Sequence, residues 1–148
     1  MTANFVAKKR ITIDAPPEVV WRALTDPAIV SQYMHGTNMQ TDWIVGSPIT
    51  WKGEWQGKPY EDKGTVVAVE PTKLLKVTHW SPMGGSEDKP ENYHTLTYEL
   101  AEQGRGTVLT LEQDNNPTQE AANTMAEQNW GPVLAGLKTA AEQVATRT

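Results

Sequence analysis

The sequence predicts an α+β domain in which one antiparallel sheet packs against a long helix near the C-terminus. Two observations lead to this prediction. Between residues 5 and 113, hydrophobic side chains recur mostly at every second position, which is typical of half-buried strands. Residues 118–145 instead carry them at helical spacing. Because the strands alternate and are not wholly apolar, we expect an antiparallel sheet with one packed face.

The first strand is expected at residues 5–14, followed by two short helices. The segment 15–18 contains two prolines, which stop the strand and can open a helix. Asp26 followed by Pro27 is a second helix-start signal, a capping side chain before a proline in the first turn. This second helix is expected to end at Gly36, which places both helices directly after the first strand.

Six further strands are expected to form a meander. Glycine- and proline-containing turns separate them, and a polar loop at residues 81–91 joins the fifth strand of the chain to the sixth. The expected strands are residues 39–44, 49–55, 60–70, 73–80, 92–100 and 107–113.

One long helix is expected at residues 118–145. Its apolar stripe includes Met125, Trp130 and Leu134. Pro132 lies inside the pattern and cannot donate to the carbonyl of Gln128, so a kink is expected there. The alternative is two helices with a break at residues 129–131.

Composition limits the classes of protein and of site. The 148 residues fit a single domain over residues 1–148. The absence of cysteine excludes disulfides, thiol catalysis and thiolate zinc sites, and the net charge of -5 argues against nucleic-acid binding. No apolar run approaches the ~20 residues of a membrane span, and the N-terminus has no signal core. We therefore expect a cytoplasmic protein.

The space between sheet and helix is where function is expected. One helix about 10–12 Å wide cannot fill a concave seven-stranded sheet. Either side chains fill the remainder or a cavity is left. The chain has six Trp and four Tyr but one Phe, which suits either a Trp-rich core or a cavity wall with both apolar and polar groups.

Candidate ligand-binding residues lie on the inward faces of the strands and on the helix stripe. Trp51 and Trp55 share one strand face and could stack on a flat ligand or fill core volume, and Gly53 between them opens space or marks a bend. The full set is Trp51, Trp55, Val77, His79, His94, Leu96, Tyr98, Leu111, Gln113, Met125, Trp130 and Leu134.

His79 and His94 are expected to be neighbours, because their strands flank one loop and both fall on the apolar face. Together they could bind a ligand carbonyl or carboxylate, or shuttle a proton. The alternative is that each is an ordinary wall residue. Without a third placed ligand the pair does not predict a metal site. No hydrolase, zinc-protease or nucleotide motif occurs, so we predict no catalytic residue and no cofactor.

Several motifs along nearly the whole chain resemble those of a known family. They are Ile11-Thr12-Ile13-Asp14-Ala15-Pro16-Pro17-Glu18 and its continuation to Pro27, Gly46-Ser47-Pro48-Ile49-Thr50-Trp51, Gly64-Thr65-Val66, Glu70-Pro71, residues 74–78, Gly106-Thr107-Val108-Leu109-Thr110-Leu111 and Trp130-Gly131-Pro132-Val133-Leu134. With this element order, the chain resembles the START-like (SRPBCC, Bet v 1-like) superfamily. More narrowly it is similar to bacterial single-domain proteins related to the activator of heat-shock protein 90 ATPase. Tyr33 departs from the Trp that this family often carries.

The resemblance implies a helix-grip fold, with a seven-stranded antiparallel sheet wrapped around the C-terminal helix and an elongated cavity between them. Members bind lipids, sterols or aromatic polyketides, and a few are cyclases or dehydratases. We therefore expect non-catalytic binding of a small hydrophobic or amphipathic molecule. One alternative is a co-chaperone-like module that contacts a chaperone ATPase. The other is a cyclase or dehydratase that acts on an aromatic polyketide with a His as general base.

Overall fold

The chain folds as an α+β protein in which a seven-stranded sheet packs against the C-terminal helix. The computed structural model describes residues 5–34, 36–82 and 87–146, except for the side chain of Trp55. The first half comprises β1 (Phe5–Ile13), α1 (Pro17–Thr25), α2 (Pro27–Tyr33), β2 (Asn38–Gln40), β3 (Pro48–Trp55) and β4 (Lys58–Glu70). The second half comprises β5 (Leu74–His79), a 3₁₀ turn (Pro90–Asn92), β6 (His94–Gln103), β7 (Gly106–Asn116), α3 (Gln119–Thr124), a π-helical segment (Met125–Trp130) and α4 (Gly131–Thr146).

The sheet confirms the predicted antiparallel helix-grip arrangement. Its strand order is β1-β7-β6-β5-β4-β3-β2, and every neighbouring pair is antiparallel. The N-terminal strand therefore pairs with the last strand, while the other six form the expected meander. Both short helices follow β1, and Asp26 caps α2 by accepting from the Ala28 N–H at 2.9 Å.

The C-terminal helix is continuous from α3 to α4, so the alternative of a break at residues 129–131 is wrong. The helix instead widens into a π-helical segment directly before Pro132. There the Gly131 N–H bonds to the Ala126 carbonyl, five residues back. A π-helical turn is one of the ways in which a helix accommodates an interruption of its hydrogen-bond ladder, here the missing N–H of Pro132.

The strand predicted at residues 39–44 is shorter than expected, because β2 ends at Gln40. The Asp42 side chain accepts from the Ile44 N–H at 3.1 Å, and Trp43 adopts a φ of 60°. A positive φ is incompatible with a strand and is uncommon for a bulky residue. The turn therefore ends β2 and directs residues 41–47 across to β3.

The core lies between the inner face of the sheet and α4. Ile13, Leu109, Leu134 and Leu137 are almost completely buried there. Helices α1 and α2 also pack against α4. Within the described ranges, no helix is both long and apolar enough to cross a membrane.

Candidate functional site

A cavity of about 80 Å³ lies between the sheet, the two short helices and α4. It exceeds the roughly 10–15 Å³ that one water requires, but it is well below the roughly 300 Å³ of sites for drug-sized ligands. Most of the space predicted between sheet and helix is therefore filled by side chains. The aromatic rings among its described lining residues belong, besides His79, to Tyr33, Trp43, Trp51, Tyr60, Tyr98 and Trp130.

Seven of the predicted ligand-binding residues line this cavity. The strands contribute the apolar and aromatic groups through the inward positions that side-chain alternation indicated, and α4 with the preceding π-helical segment contributes the opposite wall. These residues are Trp51, Val77, His79, Leu96, Tyr98, Trp130 and Leu134.

Leu111, Gln113 and Met125, which were also predicted, are not among the described lining residues. Leu111 is buried in the core, and Met125 of the π-helical segment packs against this core. The amide oxygen of Gln113 accepts from the Trp130 indole N–H at 2.9 Å, so Gln113 holds a wall residue in place. The side chain of Trp55 lies outside what the structure describes.

His79 and His94 are direct cross-strand partners, as expected from their hairpin. Only His79 lines the cavity. The ring of His94 is held at the end of β7, where its Nδ1 lies 2.8 Å from the Asp114 carbonyl oxygen. The structure therefore does not present two imidazoles side by side to a ligand.

The polar partner of His79 is Asp62, a residue that was not among the predicted site residues. His79 Nε2 lies 2.9 Å from Asp62 Oδ2, and the two side chains are 25% and 18% exposed. Trp51 contacts both sides of this pair: it is the cross-strand partner of Asp62, and its ring meets the His79 ring edge-on at 5.1 Å. Since a carboxylate can only accept, Nε2 of His79 donates, which leaves Nδ1 unprotonated in the neutral ring.

Asp62 has an unusual hydrogen-bonding state. Its Oδ1 is buried and has no hydrogen-bond partner among the described residues. A period-two count back from buried Val66 would have placed Asp62 on the inner face of β4. That count needs the burial of Val66, which the sequence did not decide because Val67 and Val69 make the other face of β4 apolar as well. The partner on β5, His79, was not predicted from the sequence either.

The position of Tyr60 explains why residue 53 is a glycine. A Cβ on Gly53 would lie 2.6 Å from the Tyr60 hydroxyl oxygen, so the glycine makes room for this ring and not for a ligand. The Thr37 hydroxyl donates to the Met34 carbonyl at 2.6 Å and accepts from the Tyr60 hydroxyl at 2.5 Å. Strand β4 is thereby tied to the segment after α2 at the cavity wall.

The two most buried phenols of the wall are neutral over a wide pH range. Burial raises the pKa of Tyr33 well above its ordinary value, and the neighbouring Tyr98 raises it further. Burial likewise raises the pKa of Tyr98. The Tyr33 hydroxyl donates to the Ala23 carbonyl at 2.8 Å, so it is already engaged.

One wall residue comes from the loop between β2 and β3. Trp43 lines the cavity, and its indole N–H donates to the Thr25 carbonyl at 3.3 Å. The next two residues, Ile44 and Val45, are exposed. Hydrogen bonds from the Ser47 side chain and the Ile44 N–H hold the pKa of Asp42 below its usual value, which keeps this turn's acceptor ionised.

The described residues contain no cluster of three or more His, Asp or Glu side chains that could hold a metal ion. The polar chemistry of the cavity therefore comes from the Asp62–His79 pair and from hydroxyl groups. Such a pair can orient a hydrogen-bonding ligand, and a carboxylate-oriented imidazole can also accept a proton.

The comparisons with known proteins agree with this architecture. The family model described as "Activator of Hsp90 ATPase homolog 1-like protein" matches residues 14–142. A similar solution structure is that of ChR145 from Cytophaga hutchinsonii, with 42% identity, a TM-score of 0.83 and coverage of 99% of each chain.

More distant structures share the fold. MLL2253 from Mesorhizobium loti has 26% identity and a TM-score of 0.74, over 93% of this chain and 97% of that one. The Aha1 dimer from Colwellia psychrerythraea has 23% identity and a TM-score of 0.67, over 95% and 97%. No curated protein sequence matches the chain significantly.

Proposed function

The chain belongs to the family of Activator of Hsp90 ATPase homolog 1-like proteins, and from this premise we propose that it binds a small apolar or amphipathic molecule without converting it. The binding site is the cavity between the sheet and α4. One observation carries the proposal: an apolar, largely aromatic wall surrounds a space whose described lining includes one hydrogen-bonded carboxylate–imidazole pair, Asp62 and His79.

The size of the cavity limits the ligand. An apolar cavity of about 150 Å³ binds benzene, so the present 80 Å³ suits at most a single ring once the walls adjust. Met34 and Met39 line the cavity, and methionine side chains adapt easily to irregular shapes. Burial of about 200 Å² of apolar ligand surface would contribute about 5 kcal/mol before the costs of association. Because the costs of association offset most of this gain, we expect only weak binding of simple aromatic compounds, in the millimolar range or weaker.

The test is a ¹⁵N-HSQC titration with compounds of increasing size, from single-ring aromatics to flavonoids, fatty acids and sterols. Saturable shifts of the Trp43 and Trp130 indole N–H signals are expected for the single-ring compounds and not for sterols. No saturable shift with any compound would contradict the proposal.

A variant that fills the cavity provides a second test of the proposed binding site. Val133 lines the cavity from α4, whereas Val144 packs against the same core without lining it. Val133→Phe should weaken binding by roughly tenfold or more, which corresponds to about 1.4 kcal/mol. Val144→Phe is the matched control on the same helix and should bind as wild type. Equal affinities of the two variants would place the site elsewhere.

The Asp62–His79 pair favours one second candidate, acid–base conversion of the ligand by a cyclase or dehydratase. In that case His79 would act as the general base and Asp62 would orient it. Mass spectrometry of each bound compound after prolonged incubation separates the two functions. Recovery of the unchanged compound supports binding alone, and a product that His79→Gln no longer forms supports catalysis.

A further inference from the structure

The free oxygen of Asp62 restricts which molecules the cavity can accept. Oδ2 is paired with His79, while Oδ1 is buried and accepts no hydrogen bond from the described residues. Leaving a buried carboxylate oxygen unpaired is unfavourable, because the water that solvated it in the unfolded chain has not been replaced. A ligand that donates to Oδ1 would remove this penalty on binding.

No donor among the described residues bonds to Asp62 Oδ1, and four N–H and O–H groups of the wall bond to other partners. These bonds are Tyr60 to Thr37 at 2.5 Å, Tyr33 to the Ala23 carbonyl at 2.8 Å, Trp130 to Gln113 at 2.9 Å and Trp43 to the Thr25 carbonyl at 3.3 Å. Asp62 lines the cavity, but its Oδ1 has almost no accessible surface, so a ligand donor reaches this acceptor only when the walls adjust.

We propose that the cavity selects a neutral, single-ring molecule that carries a hydroxyl or N–H donor, and that this donor binds Asp62 Oδ1. The inference rests on the proposed function and adds the chemical class of the ligand. An aromatic carboxylate is rejected, since it would bring a second negative charge next to Asp62 into an apolar wall. This reverses the polarity expected from the sequence, in which imidazoles were to bind a ligand carbonyl or carboxylate.

Asp62→Asn tests the assignment because it exchanges one atom without changing the size of the side chain. The amide oxygen would accept from the His79 Nε2–H, and the amide NH₂ would then take the place of Oδ1. The acceptor becomes a donor. Asp88→Asn is the control, since Asp88 is exposed and bonds to Tyr93 and Lys63.

The experiment measures the dissociation constants of phenol, toluene, benzaldehyde and benzoate by ¹⁵N-HSQC titration of the three proteins. The ratio of the toluene constant to the phenol constant is compared between proteins, because hydration differences between the two ligands cancel. We expect this ratio to be roughly tenfold higher for wild type and Asp88→Asn than for Asp62→Asn. Benzaldehyde, which only accepts, should bind more tightly to Asp62→Asn, and benzoate should not bind wild type.

The outcomes are distinguishable. A ratio that is the same in wild type and Asp62→Asn overturns the inference, although binding in the cavity stands. Failure of both phenol and toluene to bind wild type overturns the proposed function, and this inference with it.

If Asp62→Asn does not fold, the wild-type protein labelled with ¹³C at aspartate Cγ gives the answer. The Asp62 signal should move on saturation with phenol and not with toluene. An equal response to both compounds overturns the inference.

Discussion

Replacing Gly136 by alanine tests how closely α2 packs against α4. Gly136 lies inside α4, and a Cβ built on it would be 2.8 Å from the Cβ of Tyr33. No rotation of Tyr33 can relieve this contact, since its Cβ is fixed to the backbone. One helix must therefore move, and Tyr33 is part of the cavity wall.

Two opposing contributions decide whether Gly136→Ala raises or lowers the free energy of unfolding. Alanine is favoured over glycine inside a helix by up to about 1 kcal/mol. Forcing extra volume into a packed interface costs about 1–3 kcal/mol. With a backbone-linked atom as the obstacle the steric cost dominates, so the free energy of unfolding of Gly136→Ala should fall by about 1 kcal/mol. For a chain of this length, that loss lowers Tm by roughly 2–4 °C.

Gly131→Ala is the matched control at the start of the same helix. The nearest atom to its new Cβ would be the Ala126 carbonyl oxygen at 3.7 Å, an ordinary contact. Only helix propensity acts there, and it should stabilise the fold by up to about 1 kcal/mol. Urea unfolding followed by Trp fluorescence should therefore separate the two variants by about 2 kcal/mol at an unchanged m value. Equal stability of the variants would refute the close approach of Tyr33 to α4.

Two further predictions concern groups behind the cavity wall and on the C-terminal helix. Gln113→Leu removes the acceptor of the buried Trp130 indole N–H and should lower the free energy of unfolding by about 1–3 kcal/mol. The double variant Gln113→Leu/Trp130→Phe should lose less stability than the sum of the two single variants. Strictly additive losses in urea unfolding would contradict the hydrogen bond. Hydrogen bonds from Lys138 and, to a lesser degree, from the Asp14 N–H lower the pKa of Glu142 in the folded protein. Ionised Glu142 therefore stabilises the fold above its ordinary pKa of 4.5, and this stabilisation is lost as pH falls through the lower pKa of the folded protein. Glu142→Gln should therefore flatten the loss of Tm between neutral and acidic pH, and a profile parallel to wild type would refute this.

The cavity, at about 80 Å³, is small for the elongated cavity that the family resemblance implies, and aromatic side chains are the reason. The sequence left open whether the aromatic residues fill the core or line a void, and both hold in part: Trp51 and Trp130 are mostly buried, yet both border the remaining space. Volume is a sum over side chains from α2, β3, β5 and α4, so alternation within one strand cannot measure it. For the same reason Tyr33 and Tyr60 could not be assigned to the wall from their own segments.

The α+β class and the inward faces of the strands follow from alternation and helical spacing, which are local properties of the backbone, whereas the helix-grip topology was what the family resemblance implied. These two patterns accordingly suffice to place Val77, Leu96 and Leu134 on the faces that line the cavity. Only the tertiary structure decided that the His79 side chain bonds to Asp62 while its cross-strand partner His94 bonds to the Asp114 carbonyl. That choice depends on the β4–β5 register and on where each ring finds a partner, and both arise between segments that are distant in the chain. The free oxygen of Asp62, and with it the kind of ligand we infer, is a consequence of that pairing.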